Sequence, residues 1–205
     1  MLTRHASLIT RYPSRVTIMF SSLFKKKQIS ENIPFDGETK KLFEEGNLRY
    51  TEGNLVKALE IYETCLEKNP FIPDIYNNKG EIFLLQNGID SAYEIFKEIT
   101  KKFPDYPYGH YNMAIIYQKK GERQKAFREF NKAIKLEPCA KFYNGLSSVY
   151  CDEGNFDRAI TCLKKALKID PLYRMSYINL SKVYLIEKKF NSALKTCEKA
   201  LKISP

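Results

Sequence analysis

The sequence contains no tryptophan, only two histidines, and five cysteines without a CxxC pair. Each shortage excludes a class of function. His5 sits in a basic N-terminal stretch and His110 at a helix-packing position, so no general acid–base constellation is visible and no enzyme is expected. Cys65, Cys139, Cys151, Cys162 and Cys197 are odd in number and lack metal spacing. They argue for reduced thiols in an intracellular compartment, not a disulfide framework or a zinc site. The nine glycines form no phosphate-cradling loop, and no cofactor is implied. No apolar run reaches the roughly 18 residues needed to span a bilayer, so a soluble chain without stable membrane insertion is expected. Acidic residues are missing from positions 1–30.

The composition that remains suits a packed helical protein. Hydrophobic residues make up 43% and aromatic residues 13%, with Tyr and Phe filling the large positions that tryptophan leaves open. The net charge is +10, of which Arg4, Arg11, Arg15, Lys25, Lys26 and Lys27 supply +6. Beyond that arm the basic residues alternate with Asp and Glu, as in ERQKAFREFNK, which reads as solvated helix faces and not as a nucleic-acid surface.

One stretch organises the chain. Between Pro107 and Pro138, an apolar series at His110, Met113, Ala114 and Tyr117 has helical spacing, and Gly121 marks a stop. A second stripe follows at Ala126, Phe127, Phe130, Ala133 and Ile134. Two short helices result, with Ala114 and Ala126 allowing close approach while Tyr117 and Phe130 fill the gap. The pattern recurs. Pro70, Pro104, Pro138, Pro171 and Pro205 follow one another at spacings of 34, 34, 33 and 34 residues. Gly46, Gly80, Ala114, Ser147 and Ser181 hold one small position, and Ala58, Ala92, Ala126, Ala159 and Ala193 hold another. In this period and register the chain resembles the tetratricopeptide repeat family over about four fifths of its length.

The resemblance implies an all-α, right-handed solenoid of five helix-turn-helix units at 39–70, 73–104, 107–138, 140–171 and 174–205, behind a basic arm at 1–38. The arm reads as a mitochondrial presequence or as a disordered or misassigned start, with Met19 as a second initiation site. A cytoplasmic location is the preferred expectation, and a mitochondrial one the alternative. In the first unit the outer helix is expected over Glu60–Lys68 after a Gly53-Asn54 turn. In the second, Asp90 is expected to cap a helix, and in the fifth Lys188 replaces the turn glycine.

What the family implies about function is a protein-binding adaptor. In such solenoids the first helices line a concave groove, which places Asn47, Tyr50, Asn78, Leu84, Tyr108, Tyr111, Asn112, Ile115, Ile178 and Asn179 as candidate peptide-binding residues. Asn78, Asn112 and Asn179 share one repeat position, where an amide either grips an extended peptide backbone or hydrogen-bonds locally. Members that bind acidic chaperone tails use a Lys, Asn, Asn, Lys, Arg clamp. Asn47 and Asn78 match two of its places, but Phe43, Tyr108 and Asn112 stand where the cations belong. A structural subunit packing through its convex side, and an accessory domain of a separate enzyme, are the alternatives. Finally, Leu194, Leu201 and Ile203 are expected to leave an apolar strip on the last helix. The strip is either a docking surface, with end-to-end self-association through the fifth unit as the expectation, or the sign of a truncated array.

Overall fold

The computed structural model describes residues 36–203, which form ten α-helices and, among these residues, no strand. The arm, and with it every reading of residues 1–35, lies outside the described residues. The chain divides into two compact units at Gln86 and Asn87, and each is treated by itself.

The first unit holds α1 (Gly37–Thr51), α2 (Leu55–Lys68) and α3 (Pro73–Leu85). Asp36 caps α1: its carboxylate accepts from the Thr39 and Glu38 backbone N–H groups at 2.7 and 3.0 Å, and from the Thr39 hydroxyl at 2.7 Å. Those bonds, the Thr39 backbone bond foremost, hold the Asp36 carboxyl below its ordinary value. The outer helix begins five residues before the expected Glu60. Asn54 is the reason, because its side chain accepts from the Lys57 N–H at 3.2 Å and so starts α2 at Leu55. Gly46 lets α1 meet α2 closely: a Cβ there would stand 2.6 Å from Tyr62 Cε1. Phe43, Tyr50, Ala58, Ile61, Tyr62, Cys65, Ile72, Ile75 and Ile82 form the core of this unit.

The second unit holds α4 (Ile89–Lys102), α5 (Pro107–Lys119), α6 (Arg123–Leu136), α7 (Ala140–Asp152), α8 (Phe156–Ile169), α9 (Arg174–Ile186) and α10 (Phe190–Ile203). Two devices set the helix ends. Four helices stop two residues short of a proline (Pro70, Pro104, Pro138 and Pro171), because proline disfavours helical backbone in the residue before it. Left-handed backbone turns the chain at Gly53, Gly121 and Gly154, but also at Asn87 and Lys188, which take φ of 61° and 59°. Gly88, next to Asn87, is the N-cap residue of α4, so Asp90 falls inside the first turn and does not cap it.

Within this unit the core repeats along the chain. Ala114, Ala126, Phe130, Leu146, Val149 and Cys162 make one cluster, and Ala159, Ile160, Leu163, Leu180 and Val183 the next. Gly145 sits on α7 where a Cβ would come 2.5 Å from Phe130 Cε1 and 3.1 Å from Tyr111 Cε2, so its small size sets the spacing of α7 from α5 and α6. His110, buried at 6% exposure, ties α5 to its neighbours. Its Nδ1 lies 2.6 Å from Glu129 Oε2 on α6 and its Nε2 lies 2.8 Å from the Pro104 carbonyl, so both ring nitrogens are engaged. All five cysteines are free thiols, and burial pushes Cys65 up to about 11.

Candidate functional site

In the second unit α5, α7 and α9, the first helices of successive repeats, lie side by side and present one shared face. Its centre is aromatic. Phe142 of α7 stands between two tyrosines of α5, with ring centroids 5.2 Å from Tyr108 and 5.1 Å from Tyr111. Tyr111 also meets Phe130 edge-on at 5.8 Å. The Lys141 ammonium lies 4.8 Å from the Tyr111 ring centroid and 5.6 Å from that of Tyr108, over both rings. Ile115 and Ile178 are half-buried on the same helices.

Hydrogen bonds join these helices across the face. Ser148 donates to Gln118 Oε1 at 3.1 Å, and Gln118 donates to Asp152 Oδ2 at 2.6 Å, linking α5 to α7. Asn179 donates to Asn144 Oδ1 at 3.1 Å, and Ser176 donates to the same oxygen at 3.3 Å, linking α7 to α9. The first unit repeats the device, with Asn78 donating to Asn47 Oδ1 at 2.8 Å beside the Tyr62 hydroxyl, which donates at 2.7 Å. At the shared asparagine position, then, Asn78 and Asn179 each use a side-chain N–H for the neighbouring repeat. The two asparagines that match the chaperone-tail clamp are bonded to each other.

The remaining candidates fall into three groups. Tyr108, Tyr111, Ile115, Ile178 and Asn179 come to one face of the second unit and stay partly exposed. Asn112 is on α5 but only 3% exposed. Asn47, Tyr50, Asn78 and Leu84 belong to the first unit, where Asn47 and Leu84 are half-buried and Tyr50, at 1% exposure, is core. Tyr50 thus holds α1 against α2 and offers no ligand surface, because the helix turns that edge inward toward Ala58 and Tyr62. Burial pushes the Tyr50 hydroxyl far above its ordinary value. Lys141, Gln118 and Asn144 stand at the first-helix positions that family geometry turns toward the groove, whereas Phe142, 0% exposed, is a packing residue that repeat position did not single out.

Among the described residues no group of three or more His, Cys, Asp or Glu side chains is placed to hold a metal ion. No described helix is long and apolar enough to cross a membrane.

Comparison with known proteins gives a consistent result. The mouse protein "BBSome complex member BBS4" is 26% identical over 121 residues, covering 58% of this chain and 23% of its own length. A tomato protein described as a probable UDP-N-acetylglucosamine–peptide N-acetylglucosaminyltransferase, SPINDLY, is 30% identical over 105 residues, covering 48% and 11%. The chain therefore spans less than a quarter of either relative. Among solved structures, TTC0263, a thermophilic TPR protein of Thermus thermophilus, superposes with a TM-score of 0.73 at 23% identity, over 82% of this chain and 92% of that one, which is a likeness of fold. Tetratricopeptide repeat family patterns match residues 43–107, 107–138, 140–173 and 176–205. With helix pairs, turn positions and small-residue contacts recurring in the same register, the chain belongs to the tetratricopeptide repeat family.

Proposed function

We propose that this chain is a non-enzymatic adaptor whose α5–α7–α9 face holds an extended segment of a partner protein. As a tetratricopeptide repeat chain it is a protein–protein interaction scaffold. The half-buried tyrosines Tyr108 and Tyr111, packed on the fully buried Phe142 and standing under Lys141, are the observation that supports a peptide groove. Half-buried rings flanked by aliphatic Ile115 and Ile178 suit an aliphatic or aromatic anchor, and rim charges contribute less than such anchors do. The polar ladder between the helices is largely satisfied within the protein, so the anchor and not amide gripping carries the affinity in this reading.

The substitutions that test it must avoid buried positions. Asn112 is core, and Tyr111 packs on Phe130, so replacing both would disturb folding as well as binding. Tyr108→Ala and Ile178→Ser are better placed. Linear peptides selected from a random displayed library against the full chain should carry an apolar anchor. They should lose about 2 kcal/mol, roughly 30-fold in Kd, on either variant while circular dichroism stays unchanged. Selected peptides that bind both variants as tightly as the parent would move the site off this face.

A further inference from the structure

We infer that the outer face of α10 is a docking site for one amphipathic helix of a partner protein, recognised through a Leu/Met-x-x-Ile/Val-Tyr sequence with acidic flanks. This surface is separate from the α5–α7–α9 face, and the inference does not rest on that reading.

Phe190, Leu194, Cys197 and Leu201 follow one another at i, i+4, i+7 and i+11, which puts them on one side of α10. Phe190, Leu194 and Leu201 are 64%, 62% and 61% exposed, and no helix among the described residues covers them. Surfaces of this kind mark interaction sites.

The same molecule shows what fits there. Counting back by the repeat, Leu194 corresponds to Ile160, Phe127 and Tyr93, and each of these is covered by a tyrosine from the first helix of the following repeat. Tyr93 meets Tyr117 edge-on at 6.3 Å, Phe127 meets Tyr150 at 4.8 Å, and Ile160, 9% exposed, shares a cluster with Tyr184. The three covering helices carry one pattern: Met113-x-x-Ile116-Tyr117, Leu146-x-x-Val149-Tyr150 and Leu180-x-x-Val183-Tyr184. A helix bearing it would continue on α10 an interface already built three times in this unit.

A second copy of the chain does not supply that helix. In α1 the corresponding residues are Glu45, Leu48 and Arg49, and Arg49 is engaged by Glu45 at 3.6 Å and Glu52 at 3.0 Å, so seating α1 on Leu194 would desolvate charges. The copies of the pattern in α5, α7 and α9 are already in use, since Met113, Leu146 and Leu180 are 4%, 5% and 6% exposed. Pairing α10 with α10 would set Lys195, Lys199 and Lys202 against their equals. Residues 174–203 hold seven basic side chains and two acidic ones, which selects a partner helix with acidic flanks.

The probe is the Arg174–Ile186 sequence itself, stapled as a helix and carrying Arg174→Glu and Lys182→Glu, followed by fluorescence anisotropy against the full chain. Saturable binding is expected, weakened at least tenfold by Leu194→Glu/Leu201→Glu in the protein and by Tyr184→Ala in the peptide. Both protein positions are exposed, and unchanged circular dichroism confirms the fold. A Lys195→Glu/Lys199→Glu protein should in turn prefer the peptide with its original Arg174 and Lys182. No saturable binding, or equal binding to the Leu194→Glu/Leu201→Glu protein, would overturn the inference. So would a concentration-dependent dimer in sedimentation that this variant abolishes, which would make a second copy the occupant. Pelleting with phosphatidylserine vesicles that the variant abolishes would assign the face to a lipid surface instead.

Discussion

Where Phe127 and Ile160 meet a tyrosine of the next repeat, α10 offers Leu194 to solvent, whereas the matching approach face of α1 carries Glu45 and Arg49 locked in ion pairs. The fifth repeat keeps the apolar half of a stacking interface, and the first repeat has replaced the complementary half with charge. The difference teaches that a repeat position has no fixed environment. Among the described residues, an identical place in the 34-residue pattern is core where a further helix packs on it and surface on α10, where none does. Charge divides in the same sense: residues 31–86 hold six basic and eleven acidic side chains, while residues 87–205 hold twenty-two and thirteen.

The comparison breaks most visibly in stability. Ile160→Ala, at a covered position, should cost about 2–4 kcal/mol in denaturant unfolding. Leu194→Ala, at the same place one repeat later, should stay within about 0.5 kcal/mol of the parent. Equal losses would show that α10 is covered in solution.

A smaller effect separates the third repeat from the fifth. Burial alone would raise the Glu129 carboxyl, but hydrogen bonds from His110 and Lys132 outweigh it and hold the group below its ordinary value. A depressed carboxyl contributes stability above its unfolded value and loses it as pH falls through the folded one. Unfolding free energy should therefore drop as pH falls through and below the ordinary glutamate range, and Glu129→Gln should lower the pH 7 value while flattening that slope. The fifth repeat has Thr196 at the corresponding position, where the hydroxyl donates to its own helix at the Ser192 carbonyl, so Thr196→Ala should leave the slope unchanged. A slope that survives Glu129→Gln would assign it to other carboxylates.

The smallest effect concerns turns. The first repeat turns at Gly53 with φ of 80°, and the fifth at Lys188 with φ of 59°, a conformation in which a Cβ is crowded. Lys188→Gly should stabilise by about 0.5 kcal/mol, the relief of strain being partly offset by a freer unfolded chain. A loss in thermal unfolding would show that the lysine side chain does more than turn the chain.

The period was legible in the sequence because its markers are local. A proline two residues beyond the second helix of four repeats, a small residue at each close approach and a left-handed turn are demands that one stretch of backbone makes on its own residues. The errors had local causes as well: Asn54 starts α2 early by capping it, and with Asn87 in the left-handed turn Gly88, not Asp90, is the N-cap residue of α4. The candidate face was legible only in part. Repeat position placed Tyr108, Tyr111 and Ile115 on the first helices, yet it could not tell half-buried Tyr108, at the start of its helix, from buried Tyr50, near the end of the equivalent one.

By itself, then, the chain's order of residues determined that there are helices in pairs and which stripe of each is apolar, because period and capping act within about four residues. Tertiary structure decided which stripes are covered. Asn78 and Asn179 became rungs between repeats, Lys141 came to stand over two tyrosines of another helix, and among the described residues no tyrosine covers Leu194 as tyrosines cover its counterparts. Each of these depends on partners about 30 residues apart or on a missing one, and separation of that kind leaves no mark on local pattern.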